Sequence, residues 1–106
     1  KYTYQEDENI TFIHRGLKLN VTNSSIEYKK HSTELSRNEF ILLQVMMRNI
    51  GKIIAREDLM QALWNKEQFV DDNTLTVNVN RLRRKIAALG LEDFIVTRKG
   101  MGYLIK

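Results

Sequence analysis

An abrupt change of hydrophobic period at Ser36 constrains this chain more than any other feature. Before it, apolar residues alternate: Ile10 with Phe12, Leu17 with Leu19 and Val21, Ile26 with Tyr28. Period two is the mark of a strand with one face buried, so the first third predicts a half-buried antiparallel sheet. After it, Phe40, Leu43, Met46, Met47 and Ile50 recur at helical spacing. A chain of 106 residues has no room for two separate cores, so the sheet and the helices belong to one small domain, residues 1–106.

Local signals place the elements. "ITFIHRG", "LKLNVT" and "IEYKK" predict three strands, with turns at Gly16 and over "TNSS", and "HSTEL" (31–35) adds a short fourth. "SRNE" is a capping box, in which the Ser36 hydroxyl accepts from the Glu39 amide while the glutamate reaches back to the serine amide. It starts a first helix over residues 37–49, and Gly51 fits a left-handed stop. "KII" (52–54) predicts one short strand. A second helix starts at Arg56 and buries Leu59, Ala62 and Leu63. Its cap, Ala55, has no side-chain oxygen, and Glu57 and Asp58 partly compensate through the helix dipole. Residues 65–70 form a loop, and Asp71 or Asp72 caps a third helix. "FIVTRK" and "YLIK" bracket Gly100, Met101 and Gly102 as a β-hairpin with a glycine-bearing tip.

Composition excludes several classes of function. No apolar run approaches the ~20 residues that span a bilayer, and "KYTYQEDENI" lacks the apolar core of a signal peptide, so a cytoplasmic location and no membrane partner are expected. The chain has no cysteine, which removes disulfides, thiolate metal sites and thiol nucleophiles together. It also begins without methionine, as a fragment of a longer protein would. The formal net charge is only +4, but residues 1–70 carry ten basic and nine acidic side chains, whereas residues 71–106 carry seven and four. A local basic surface of this kind suits a polyanion.

The third helix concentrates that charge. From Asn73 to Leu89 there are seventeen residues with no carboxylate and four cations, Arg81, Arg83, Arg84 and Lys85. On a helical wheel Leu75, Val79, Leu82, Ile86 and Leu89 share one sector, the core stripe. The opposite sector holds Asn73, Val77, Asn80 and Arg84, flanked by Arg81 and Thr76. A helix built only for solubility mixes both signs and gains i,i+4 ion pairs, which this one lacks. The DNA major groove admits one helix and rewards these residues, because arginine bridges guanine O6 and N7, asparagine bridges adenine N6 and N7, and Val77 suits a thymine methyl. Thr97, Arg98 and Lys99, beside a tip freed by Gly100 and Gly102, suit a minor groove. Sheet, three helices and hairpin make an α+β winged helix-turn-helix, with an N-terminal four-stranded antiparallel sheet, a three-helix core and a C-terminal β-hairpin wing.

The blocks "LSRNEFILLQVMMRNIGKIIAREDLMQALW", "DDNTLTVNVNRLRRKI" and "VTRKGMGYLI" together strongly resemble the DNA-binding domain of OmpR/PhoB-type response regulators of two-component systems. The resemblance covers essentially the whole chain. It implies a third helix in the major groove, a wing, and a preceding receiver domain with a phosphorylatable aspartate, served by a cognate histidine kinase. Arg81 then takes the place of the main base reader, Thr74, Arg83 and Arg84 those of phosphate or groove contacts, and Lys99 the minor-groove position. Thr97 joins the phosphate contacts, Arg98 and Gly100 the wing contacts. Trp64, most simply a core residue, gains a second role in donating its indole N–H to a phosphate, and the loop 65–70 is the family's contact surface for RNA polymerase. Two positions depart from the pattern: Lys99 stands where arginine is usual, and Ala55 where a serine cap is usual. "FVDDNTLTVNVNRLRRK" is similar to a Gram-positive branch that senses cell-envelope attack and cationic antimicrobial peptides.

Other constellations are sparse. His14 and His31 are seventeen residues apart with no carboxylate cluster around them, so no metal site or cofactor is expected. No phosphate loop, nucleophile elbow or paired-carboxylate motif occurs, so no enzyme is expected. Glu6, Asp7 and Glu8 read as a solvated linker end, with docking on the receiver as the sharper alternative. The rival from another class is a protein-interaction module whose basic helix docks on an acidic partner. RNA is disfavoured, because exposed aromatic pairs for stacking bases are not evident.

Overall fold

The computed structural model describes residues 11–64 and 70–106. The expected first strand from Ile10, the acidic trio 6–8 and loop residues 65–69 fall partly or wholly outside them. Four short strands come first, β1 (Thr11–His14), β2 (Leu17–Asn20), β3 (Ser25–Tyr28) and β4 (His31–Glu34), in an antiparallel meander of order β1-β2-β3-β4. The alternation is realised in β2, where Leu17 and Leu19 are fully buried and Lys18 is exposed. Arg15, Lys29 and Lys30 adopt positive φ in the tight turns that reverse the chain between β1 and β2 and between β3 and β4.

Helix α1 (Arg37–Met47) begins with the capping box read from the sequence: the Glu39 amide donates to Ser36 Oγ at 3.2 Å and the Ser36 amide to Glu39 Oε1 at 2.8 Å. It ends two residues before the expected Asn49, because the Asn49 amide turns back to the Met46 carbonyl at 3.0 Å. Gly51 takes the left-handed conformation expected of it, at φ +83. The strand expected over residues 52–54 is shifted to β5 (Ile54–Ala55). Its register explains the shift, since Ile54 pairs with Tyr103 and Ala55 with Gly102, while the Lys52 amide is spent on the Asn49 carbonyl.

Helix α2 (Arg56–Leu63) follows with no side-chain cap, and α3 (Asp72–Ala88) is capped by Asp71, whose carboxylate accepts from the Thr74 amide at 2.8 Å. The chain closes with β6 (Ile95–Arg98) and β7 (Gly102–Ile105), and β7 lies between β5 and β6 in a second sheet. Central in that sheet, β7 is buried at all four positions.

One core joins these layers. Leu17, Leu19 and Ile26 from the first sheet meet Leu42, Leu43 and Met46 of α1, Leu59 and Leu63 of α2, and Leu75, Val79, Leu82 and Ile86 of α3. Phe40, Ile50 and Leu89, expected in the core, are half-buried at its margin, as is Ala62 on α2. Among the described residues no helix is long and apolar enough to cross a membrane.

Candidate nucleic-acid interface

The core stripe of α3 fixes which face it shows. Leu75, Val79 and Leu82 are fully buried, and Asn78 beside them bonds the Thr74 carbonyl at 2.8 Å, so the opposite side must face out. Asn73, Arg81 and Arg84 are exposed; Thr76, Val77, Asn80 and Arg83 are half-exposed. The side chains of Arg81 and Arg84 make no hydrogen bond or ion pair with any described residue. The six residues expected to read bases therefore lie along one outward surface.

The four cations of α3 divide by role. Arg81 and Arg84 stay in solvent. Lys85 turns inward instead, its ammonium 2.7 Å from the Glu39 carboxylate, which is 2% exposed. Burial raises the Glu39 pKa, but the Lys85 ammonium and the Ser36 amide and hydroxyl outweigh it and hold the carboxyl below its ordinary value. Arg83 leans onto the hairpin: it donates to the Ile95 carbonyl at 3.3 Å, to the Thr97 hydroxyl and to Asn80 Oδ1 at 3.4 Å, with its guanidinium carbon 5.7 Å from the centre of the Tyr103 ring. The expected phosphate contact is thus a residue with three of its five N–H donors already turned to partners within the protein.

The start of α3 is held as firmly. Asp71 accepts from both the amide and the hydroxyl of Thr74 at 2.8 Å, which keeps its carboxyl below the ordinary range and uses the Thr74 proton in the cap. Asp72 pairs with Arg56, whose Nε lies 2.9 Å from its carboxylate. The same guanidinium donates to the Asp72 carbonyl at 2.9 Å, the Thr76 hydroxyl at 2.8 Å and the Tyr103 hydroxyl at 2.7 Å. The Asp72 carboxylate therefore does not set an unbalanced negative charge against the basic face. Arg56 and Tyr103 were not singled out in the sequence. They stand 47 residues apart, with no local spacing to join them.

The hairpin supplies the second surface. The Met101 amide bonds the Arg98 carbonyl at 2.9 Å, and Gly100, at φ +76, allows the turn. Thr97, Arg98, Lys99, Gly100 and Met101 are all exposed, and Lys99 occupies a corner of the turn. Trp64, the C-cap of α2, keeps 52% of its surface in solvent rather than entering the core. Among the described residues no cluster of three histidines or carboxylates could hold a metal ion; His14 instead approaches the Lys106 carbonyl.

Comparison with known proteins agrees with this geometry. Residues 30–105 match the family described as "Transcriptional regulatory protein, C terminal". The chain is 45% identical over 91 residues to the sensory transduction protein BceR of Bacillus subtilis (strain 168), covering 86% of this chain and 39% of that protein. It is 40% identical over 103 residues to the response regulator protein GraR of Staphylococcus saprophyticus, covering 97% of this chain and 46% of that protein. It therefore spans less than half the length of these relatives. The C-terminal domain of the nisin resistance regulator NsrR, a lantibiotic response regulator, superposes with a TM-score of 0.77 at 32% identity, covering 89% of this chain and 95% of that one. The chain belongs to the family of transcriptional-regulator C-terminal domains, the winged-helix DNA-binding domains of OmpR/PhoB-type response regulators.

Proposed function

We propose that this domain binds double-stranded DNA sequence-specifically, with α3 in the major groove and the β6–β7 tip over the adjacent minor groove. The observation that carries the reading is the outward face of α3, where Arg81 and Arg84 stand exposed, with no hydrogen-bond or ion-pair partner among the described residues, beside Asn73, Val77 and Asn80. A helix presents free guanidinium and amide groups in this way to a partner that supplies acceptors, and base edges do so. Arg81 reads guanine. Thr97 and the Trp64 indole contact the backbone, with Arg98 and Lys99 at the minor groove and Gly100 bringing the chain close, while Thr74 serves the interface through the cap that sets the start of α3.

In the same reading the domain is the output half of a two-component regulator. A receiver domain precedes it, a cognate histidine kinase phosphorylates that receiver, and tandem copies occupy direct repeats and engage RNA polymerase through the loop 65–70. It works in the cytoplasm and carries no catalytic activity of its own. Relatives named for sensory transduction and for nisin resistance support a role in the response to envelope attack by antimicrobial peptides.

The test is a selection of duplexes from a random library, followed by anisotropy titrations at several salt concentrations. The expected result is one enriched motif, repeated about one helical turn or ~10 bp apart, bound with a steep salt dependence. Binding to an acidic protein surface with no preference among duplexes would overturn the proposal.

A further inference from the structure

We infer that Arg56 and Arg83 are positioning residues that close on Tyr103 and hold the wing at a fixed geometry to the recognition helix. The inference rests on the DNA-binding reading above. It assigns to Arg83 a task other than touching phosphate.

Tyr103 is the meeting point. It lies in β7, only 4% exposed, and its register partner in β6 is Thr97. The guanidinium carbons of Arg56 and Arg83 stand 5.6 and 5.7 Å from the centre of its ring. One arginine opens α2 and the other lies in the middle of α3, so a single buried ring on the wing is gripped from two helices. Arg83 holds both members of the cross-strand pair, since it also donates to the Thr97 hydroxyl and, two residue pairs further back, to the Ile95 carbonyl. Arg56 ties the Tyr103 hydroxyl to Asp72 and Thr76 in the first turns of α3.

The consequence for DNA is geometric. Lys99 is two residues beyond Thr97, and among the described residues its ammonium makes no hydrogen bond or ion pair that would set its direction. A hairpin free to swing brings its cation to the phosphates only part of the time. A guanidinium that is stacked and bonded at three points has little freedom left, so the grip fixes where Lys99 stands when α3 is seated. Arg81 and Arg84 lack such partners among the described residues, which separates reading arginines from holding arginines on one helix.

The salt dependence of duplex binding distinguishes the two tasks, because each lost phosphate contact lowers the slope of log K against log salt by about 1. Partial unfolding removes active protein without mimicking a lost ionic contact, and thermal melts of each variant verify folding. Lys99→Ala is expected to lower the slope by about 1. Arg83→Gln is expected to do the same, and the double variant to fall no further. Tyr103→Phe keeps the ring and removes no charge, yet it is expected to lower the slope toward the Lys99→Ala value. A double variant whose slope falls by about 2 would mean that Arg83 touches a phosphate itself and would overturn the inference. A Tyr103→Phe slope equal to wild type would overturn it too, while leaving DNA binding intact. Wild-type protein with no salt-dependent duplex binding would remove the DNA-binding reading and this inference together.

Discussion

Lys85 Nζ lies 2.7 Å from Glu39 Oε1 and 2.9 Å from the Glu34 carbonyl oxygen, tying the last turn of α3 to the first turn of α1 and the end of β4. The same Glu39 oxygen accepts the Ser36 amide, so one carboxylate serves as capping group and interhelical anchor. Truncating Lys85 to methionine leaves that buried carboxylate without its cation. We expect a loss of about 2 kcal/mol, below the 3–5 kcal/mol of a fully enclosed pair because the ammonium keeps 36% of its side-chain surface in water.

The pair also sets a pH dependence. The Glu39 carboxyl is held below its unfolded value, so the folded state binds its proton more weakly than the unfolded chain does. Its contribution is full above the ordinary glutamate range and fades as pH falls through the lower folded value. Glu39→Gln is therefore expected to be about 1 to 3 kcal/mol less stable than wild type at neutral pH, and this gap is expected to close in acid. Urea unfolding of both proteins across a pH series measures it, and a gap independent of pH would contradict the assignment.

Gly102 is where the wing meets β5 most closely. A Cβ there would stand 2.0 Å from the Ile54 carbonyl oxygen, and the residue's φ of +150 is one that side chains rarely adopt. Gly102→Ala must therefore push the central strand of the second sheet away from β5. The expected loss is roughly 3 kcal/mol or more, whereas Gly100→Ala at the open tip costs only the backbone strain, about 1 kcal/mol. Thermal melts of the two variants decide between them.

What was legible in the sequence was local. Ser36 and Glu39 are three residues apart, and a helix start forces them together whatever surrounds them. The core stripe of α3 follows in the same way from period alone. Asp71 and Asp72 were equivalent candidates for the cap, because the choice is tertiary: Arg56, sixteen residues upstream, takes Asp72 and leaves Asp71 to the Thr74 amide. Lys85 was counted with the other cations of α3, with nothing to set it apart, because its partner lies 46 residues away on another helix. Arg83 was offered as a phosphate or groove contact by the resemblance, and its bonds to the hairpin were not legible, since nothing near it in the chain announces Tyr103. The short strand at Ile54 slipped from its expected position because its register is set by Gly102 and Tyr103, at the far end of the chain.

The two faces of α3 predict opposite phenotypes one residue apart. Leu82 is fully buried between the helices, and its truncation to alanine is expected to cost about 2 to 5 kcal/mol of stability. Arg81 is exposed and has no partner among the described residues, and Arg81→Ala is expected to change stability by less than about 0.5 kcal/mol. In binding, its loss should cost about 1 to 3 kcal/mol on the selected site and little on scrambled duplex. Equal losses on both duplexes would show that Arg81 contacts backbone rather than a base.

Lys99→Arg is expected to add what the native wing lacks. Lys99 stands at a corner of the β6–β7 turn next to Gly100, exposed and without a partner among the described residues. An ammonium is a compact, strongly hydrated point charge, so in a groove it neutralises a phosphate and reads little else. A guanidinium is planar and more weakly hydrated, and it gives up its water more readily on entering a narrow minor groove. A-tracts narrow that groove and deepen its negative potential. The arginine variant should therefore gain affinity chiefly on sites whose wing-side flank is an A-tract, with the same charge and a nearly unchanged salt slope. Anisotropy titrations of wild type and variant on matched duplexes, with and without the A-tract, give the comparison. An equal gain on both flanks would mean that the wing meets only the phosphate backbone, and that its side chain never enters the groove.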